Sequence, residues 1–284
     1  MNMGKFGYTF SMMGASWEVL KKDKELLLFP LLSAICCLVV MASFALPMFM
    51  TGAWEPPDAE TATTAQQVGY YALLFLFYFC NYFVIIFFNS AVVACAVMRM
   101  RGGDPNVAVG FRAAMMRLPQ IAGWALVSAT ISVILRVIEN SHKKAGRFIA
   151  GLLGMAWSLL TFLVVPVLVV EKKGPIEAFK ESSRLLKKTW GEQLIGNFGF
   201  GLVFFVLGIP GILLIVFGVL AIGGAGVAVG AVLIGLGILY MILLGLIQST
   251  LQTIFQAALY LYARDGKAPE GFDERSLSGA MQRG

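Results

Sequence analysis

Residues 194–263 form an almost unbroken apolar run, and no other feature of the chain narrows its possible folds so far. As one helix the run would be about 100 Å long at 1.5 Å per residue, against a bilayer hydrocarbon core of about 30 Å. It has to turn. The cluster Gly223-Gly224-Ala225-Gly226 has turn chemistry. This predicts one span over about 194–222, kinked at Pro210, and another over about 227–262. Both are longer than a crossing needs, so tilt or extension past the bilayer is expected.

Four further apolar blocks precede this run, at about 26–49, 70–98, 119–138 and 148–170, and each is long enough for a transmembrane helix. A chain that is 58% hydrophobic and 13% charged, with mean hydropathy +0.80, belongs to the integral membrane class. The expected fold is an all-α integral membrane protein with six transmembrane helices. The net charge of +6 does not point to nucleic acid, because the basic residues cluster at the ends of apolar blocks, where they set orientation. With both termini cytoplasmic, every Lys and Arg falls on the inner side except Arg136, Lys143, Lys144 and Arg147. That bias predicts a multi-pass protein of the cytoplasmic (inner) membrane, with the basic 140–147 connection as its one dissenting feature.

Residues 174–190, GPIEAFKESSRLLKKTW, separate two apolar blocks and read as an amphipathic helix opened by Pro175. Ile176, Phe179, Ser183, Leu186 and Trp190 share one arc, edged by Lys180, Arg184, Lys187 and Lys188. Such a helix lies in a membrane surface. Residues 5–24 repeat the pattern with Phe6, Phe10, Met13, Trp17 and Leu20 beside Lys21 and Lys22, and residues 105–118 repeat it more loosely with Arg112 and Arg117.

These helices mark an internal repeat. The segment from Ser16 to Lys22 aligns with that from Ser182 to Lys188 at an offset of 166, and Phe88-Asn89-Ser90-Ala91 aligns with Phe255-Gln256-Ala257-Ala258 at 167. The expected organisation is a single transmembrane domain over 1–263, in three tandem units at about 5–98, 105–170 and 174–263. Each unit is a surface helix plus a transmembrane hairpin. A poorly ordered cytoplasmic tail is expected over 264–284.

The segments FFNSAVVACAVMRMRGGDP (87–105), ALYLYARDGKAPEGFD (258–273) and SWEVLKKDKELLLFP (16–30) resemble a domain-of-unknown-function family of multi-pass prokaryotic membrane proteins. A distant similarity extends to the membrane domain attached to some glycerophosphodiester phosphodiesterases, whose catalytic barrel this chain lacks. The resemblance implies a bacterial cytoplasmic-membrane location and no particular activity.

Two groups of residues are candidates for function. The first is the basic set Lys21, Lys22, Arg112, Arg117, Lys180, Arg184, Lys187 and Lys188, placed to meet anionic inner-leaflet headgroups at about 1 kcal/mol each. The second is a polar path through the bundle: Gln248, Gln252 and Gln256 in an i, i+4, i+8 stripe, Asn81 and Asn89 on the second span, and the pair Arg136 and Glu139 on the third. No nucleophile motif, phosphate loop or zinc spacing is present, and Cys36, Cys37, Cys80 and Cys95 all lie in apolar blocks. No catalytic residue, cofactor or metal is expected. The leading expectation is a non-enzymatic, homo-oligomeric membrane-organising protein bound to anionic lipid. The alternative is a channel or transporter lined by the amides, and a further possibility is a subunit for another membrane protein.

Overall fold

The computed structural model describes residues 5–51, 62–141, 145–224 and 226–272, and all regular structure among them is helical. The helices are α1 (Lys5–Lys22), α2 (Leu28–Thr51), α3 (Thr64–Arg99), α4 (Val107–Met115), α5 (Leu118–Ser141), α6 (Ala145–Thr161), α7 (Val164–Glu171), α8 (Pro175–Gly224) and α9 (Val227–Asp265). Local chemistry sets several ends. Thr63 and Gln66 form a reciprocal capping box at the start of α3, and Asn106 accepts the Val109 amide at 2.9 Å to start α4. Gly266 closes α9 in the left-handed conformation, at φ 69°.

Six segments are long and apolar enough to cross a membrane: Lys24–Met50, Thr64–Arg99, Leu118–Asn140, Ala145–Glu171, Gly199–Gly224 and Val227–Asp265. The fourth is not one helix. Pro166 lacks an N–H and its ring crowds the carbonyl four residues back, at Phe162, so the helix breaks there and resumes as α7. The Ser182 hydroxyl fills the break, donating to the Leu160 carbonyl at 2.7 Å and accepting the Leu163 amide at 3.2 Å.

The helices pair as α2 with α3, α5 with α6 and α8 with α9. Most buried side chains gather at one end of these pairs, here called the core end. There Ile86–Val97 of α3, Leu163–Val169 around α7 and Leu251–Ala263 of α9 enclose a single apolar core. The opposite, tip halves leave most of their apolar surface exposed, as at Leu38, Phe49, Phe217 and Val227. Within the α8–α9 pair, glycines let the backbones approach closely. A Cβ on Gly230 would stand 2.6 Å from the Gly218 carbonyl oxygen.

Several expectations change. The 174–190 stretch is not a separate element: it forms the first turns of a 50-residue α8 that continues through Pro210. Its buried residues are Ala178, Ser182, Leu185 and Leu186, so of the apolar arc Leu186 is buried and Phe179 half-buried, while Ile176 is 67% exposed. In α1 the buried residues are Thr9, Met12, Ser16, Val19 and Leu20, while Phe10 and Trp17 point outward at 59% and 41% exposure. The arcs divide in this way because α1 and α8 also pack directly on neighbouring helices. The start of α8 is held by a stack in which Trp157 lies 5.6 Å from Trp124 and 5.5 Å from Phe179. The tail begins in order, with Phe272 buried in the core; 273–284 lie outside the described residues, as does most of the 51–68 loop.

Candidate functional site

Four of the predicted amides meet. Asn89 of α3 and Gln248, Gln252 and Gln256 of α9 line one polar cleft of about 280 Å³, together with Gly245, Ser249 and Thr253. The spacing of four puts the three glutamines on one stripe, and the α3–α9 packing brings Asn89 against it. The Thr253 hydroxyl donates to the Ser249 carbonyl at 2.9 Å, so it is spent within α9. Asn89, Gln248 and Gln256 have no hydrogen-bond partner among the described residues, which leaves their donors and acceptors for whatever enters. Asn81 is not part of the cleft. Its Nδ2 donates to the Phe77 carbonyl of its own helix at 2.9 Å.

The basic candidates divide. Lys21, Lys22, Arg112, Lys180, Arg184 and Lys187 are exposed around the core end. Lys21 pairs with Glu18 at 2.6 Å and Arg184 with Glu181 at 2.6 Å. Arg117 is committed elsewhere, donating to the Val169 carbonyl at 3.3 Å and so bridging the start of α5 to α7. The Lys188 side chain lies outside the described residues.

A second polar cleft, of about 390 Å³, lies toward the tips between α3, α5 and α6. Arg136 donates to Glu139 at 3.0 Å in it, and Tyr82 and Ser132 share a hydrogen bond of 2.7 Å. Arg147 lines the same cleft. Arg136 and Glu139 were expected to continue the amide path, but the two clefts share no residue.

Two ion-pair networks at the core end have no local sequence signal. Arg99 grips the buried Asp23 with two guanidinium nitrogens, one of them 2.6 Å from the carboxylate, and also meets Asp104 at 2.5 Å. Lys173 bridges Glu171 at 2.6 Å and Glu181 at 3.2 Å, and the Tyr260 hydroxyl donates to Glu171 at 2.8 Å. Burial pushes the Glu181 carboxyl upward, but Arg184 and Lys173 outweigh it and hold the group below its usual range. The one available clue was that Asp23 is an isolated acid among Lys21, Lys22 and Lys24. Among the described residues no group of three His, Cys, Asp or Glu side chains is arranged to hold a metal ion.

A comparison with curated proteins finds no match. The profile of one family does match, over residues 68–271, which covers α4 to α9, nearly all of α3, and so both polar clefts. This is a polytopic membrane protein, and it belongs to DUF6159, a family of unknown function.

Proposed function

We propose that the protein is a non-enzymatic component of the cytoplasmic membrane that binds anionic lipid of the inner leaflet and organises it around a three-unit scaffold. The observation that carries this reading is the outward pairing of bulky apolar and basic side chains on three core-end segments. Phe10 and Trp17 accompany Lys21 and Lys22 on α1, Phe111 and Met115 accompany Arg112 on α4, and Ile176 accompanies Lys180, Arg184 and Lys187 on α8. An apolar residue that faces away from the core beside a cation suits the boundary between acyl chains and headgroups.

The packing order supports three tandem units. The helix that opens each unit lies on the hairpin of another unit: α4 on α3, the start of α8 on α5 to α7, and α1 on α8 and α9. Helix lengths support the level of the amide cleft. Asn89 lies about 32 Å along α3 from Val68, and Gln248 about 32 Å along α9 from Val227. Both distances are close to one hydrocarbon thickness. With the tips at the outer surface, the amides sit at inner headgroup level, where neutral donors and acceptors can meet glycerol and phosphate oxygens. Cytoplasmic termini follow from the charge bias, and homo-oligomerisation fits the exposed circumference of α2.

Quenching tests the reading. In reconstituted vesicles, brominated phosphatidylglycerol should quench Trp17 more than brominated phosphatidylcholine at equal mole fraction, with Trp17→Phe giving the signal of the other tryptophans. Equal quenching refutes lipid selection. A channel or transporter is the second reading, favoured by Asn89, Gln248 and Gln256, whose amides have no hydrogen-bond partner among the described residues. Solute or ion flux that disappears in Gln248→Leu/Gln252→Leu would support it over lipid binding.

A further inference from the structure

We infer that the cleft between α3, α5 and α6 is a binding site within the membrane for the phosphodiester of a phospholipid drawn from the leaflet at the tip end. Arg136, Glu139 and Arg147 line the cleft and leave it one positive charge in excess. Arg136 gives one guanidinium nitrogen to Glu139 and keeps its other N–H groups, and Arg147 has no ion pair among the described residues. A net charge among apolar helices calls for a counter-ion, and a phosphodiester supplies one negative charge and acceptor oxygens for two guanidinium groups. The hydroxyls of Tyr78, Tyr82 and Ser132 complete a polar wall.

The Tyr82–Ser132 hydrogen bond fixes α3 against α5. From that level α3 continues to Thr64 for about 27 Å, whereas α5 ends at Ser141 after about 14 Å. The α5–α6 pair therefore stops about 13 Å short of the α3 tip. A bilayer beside this pair must thin to meet the polar 140–147 connection, and thinning brings headgroups of that leaflet down to the cleft. The cleft volume of about 390 Å³ is more than one phosphate group needs, leaving room for adjoining glycerol atoms.

The test uses the full chain in nonionic detergent, in a background with Lys21, Lys22, Arg112, Lys180, Arg184 and Lys187 changed to Gln, so that core-end lipid contacts do not contribute. The probes are short-chain phosphatidylglycerol and inorganic phosphate, titrated by calorimetry or native mass spectrometry. Arg136→Gln/Arg147→Gln should weaken phosphatidylglycerol binding at least tenfold, and Arg136→Lys/Arg147→Lys should restore most of it. Arg147 is exposed, so Arg147→Gln alone keeps the test valid if the double variant does not fold, and it should weaken binding at least threefold. Unchanged affinity in folded variants overturns the proposal. Inorganic phosphate binding as tightly as the lipid also overturns it, because the site would then serve a free anion. The result is independent of headgroup selection at the core end, which the tryptophan quenching measures separately.

Discussion

Ser16 and Ser182 occupy aligned positions on two core-end helices, are both buried, and should respond oppositely to the same substitution. The Ser182 hydroxyl joins α8 to the break between α6 and α7 through Leu160 and Leu163. Ser182→Ala removes this partner from a buried amide and a carbonyl, at a cost of about 1–3 kcal/mol, or roughly five- to 150-fold in the folding equilibrium. The Ser16 hydroxyl is buried without a hydrogen-bond partner among the described residues. Ser16→Ala removes an uncompensated polar group, so stability should stay level or rise by up to about 1 kcal/mol. Reversible unfolding of the purified protein by sodium dodecyl sulfate in mixed micelles would measure both. Near-ultraviolet circular dichroism from the Trp124–Trp157–Phe179 stack next to Ser182 gives a local signal. Equal losses in the two variants, or no loss in Ser182→Ala, would refute the assignment of Ser182 as the closure of the α6–α7 break.

Other substitutions test other parts of the scaffold. Arg99→Ala leaves Asp23, 4% exposed, as a buried charge without its partner, and should cost about 3–5 kcal/mol in the same titration. Gly230→Leu forces α8 and α9 apart at the Gly218 carbonyl and should cost about 1–3 kcal/mol by overpacking. Glu181 has a depressed folded-state pKa, so its contribution is fully present above its unfolded value and is lost as pH falls through the folded one. Wild-type stability should therefore decline below about pH 4.5, near the unfolded carboxylate value, and Glu181→Gln should show a flatter profile there in thermal melts.

The membrane class and the six apolar segments were legible because length and apolar content are local properties. The amide cleft was legible in large part. A four-residue spacing states that Gln248, Gln252 and Gln256 share a face, and the match between Phe88–Ala91 and Phe255–Ala258 placed Asn89 at the corresponding position. Nothing local separated Asn89 from Asn81, whose amide is spent on its own helix. The orientation of the surface helices was legible in part. Their apolar arcs read as facing a membrane surface, and Phe10, Trp17 and Ile176 do face outward. Leu20 and Leu186 of the same arcs are buried instead, beside Thr9, Ser16, Ala178 and Ser182, because α1 and α8 also pack on neighbouring helices, a contact that helical periodicity does not report. The Asp23–Arg99 pair joins residues 76 apart, a separation that helical periodicity does not report. Arg147 was counted among the charges of the 140–147 connection, and its place beside Arg136 follows only from α6 folding back on α5.

If the core-end cations select anionic headgroups, the lipid that accompanies the protein out of its native membrane carries the record of that selection. Extraction without added lipid, followed by quantification of headgroups bound per protein, should show an anionic fraction above that of the bulk membrane. Variants with Lys21, Lys22, Arg112, Lys180, Arg184 and Lys187 changed to Gln should bring that fraction down to the bulk value. An anionic fraction in the wild-type extract equal to that of the bulk membrane would mean that the core-end cations select no headgroup.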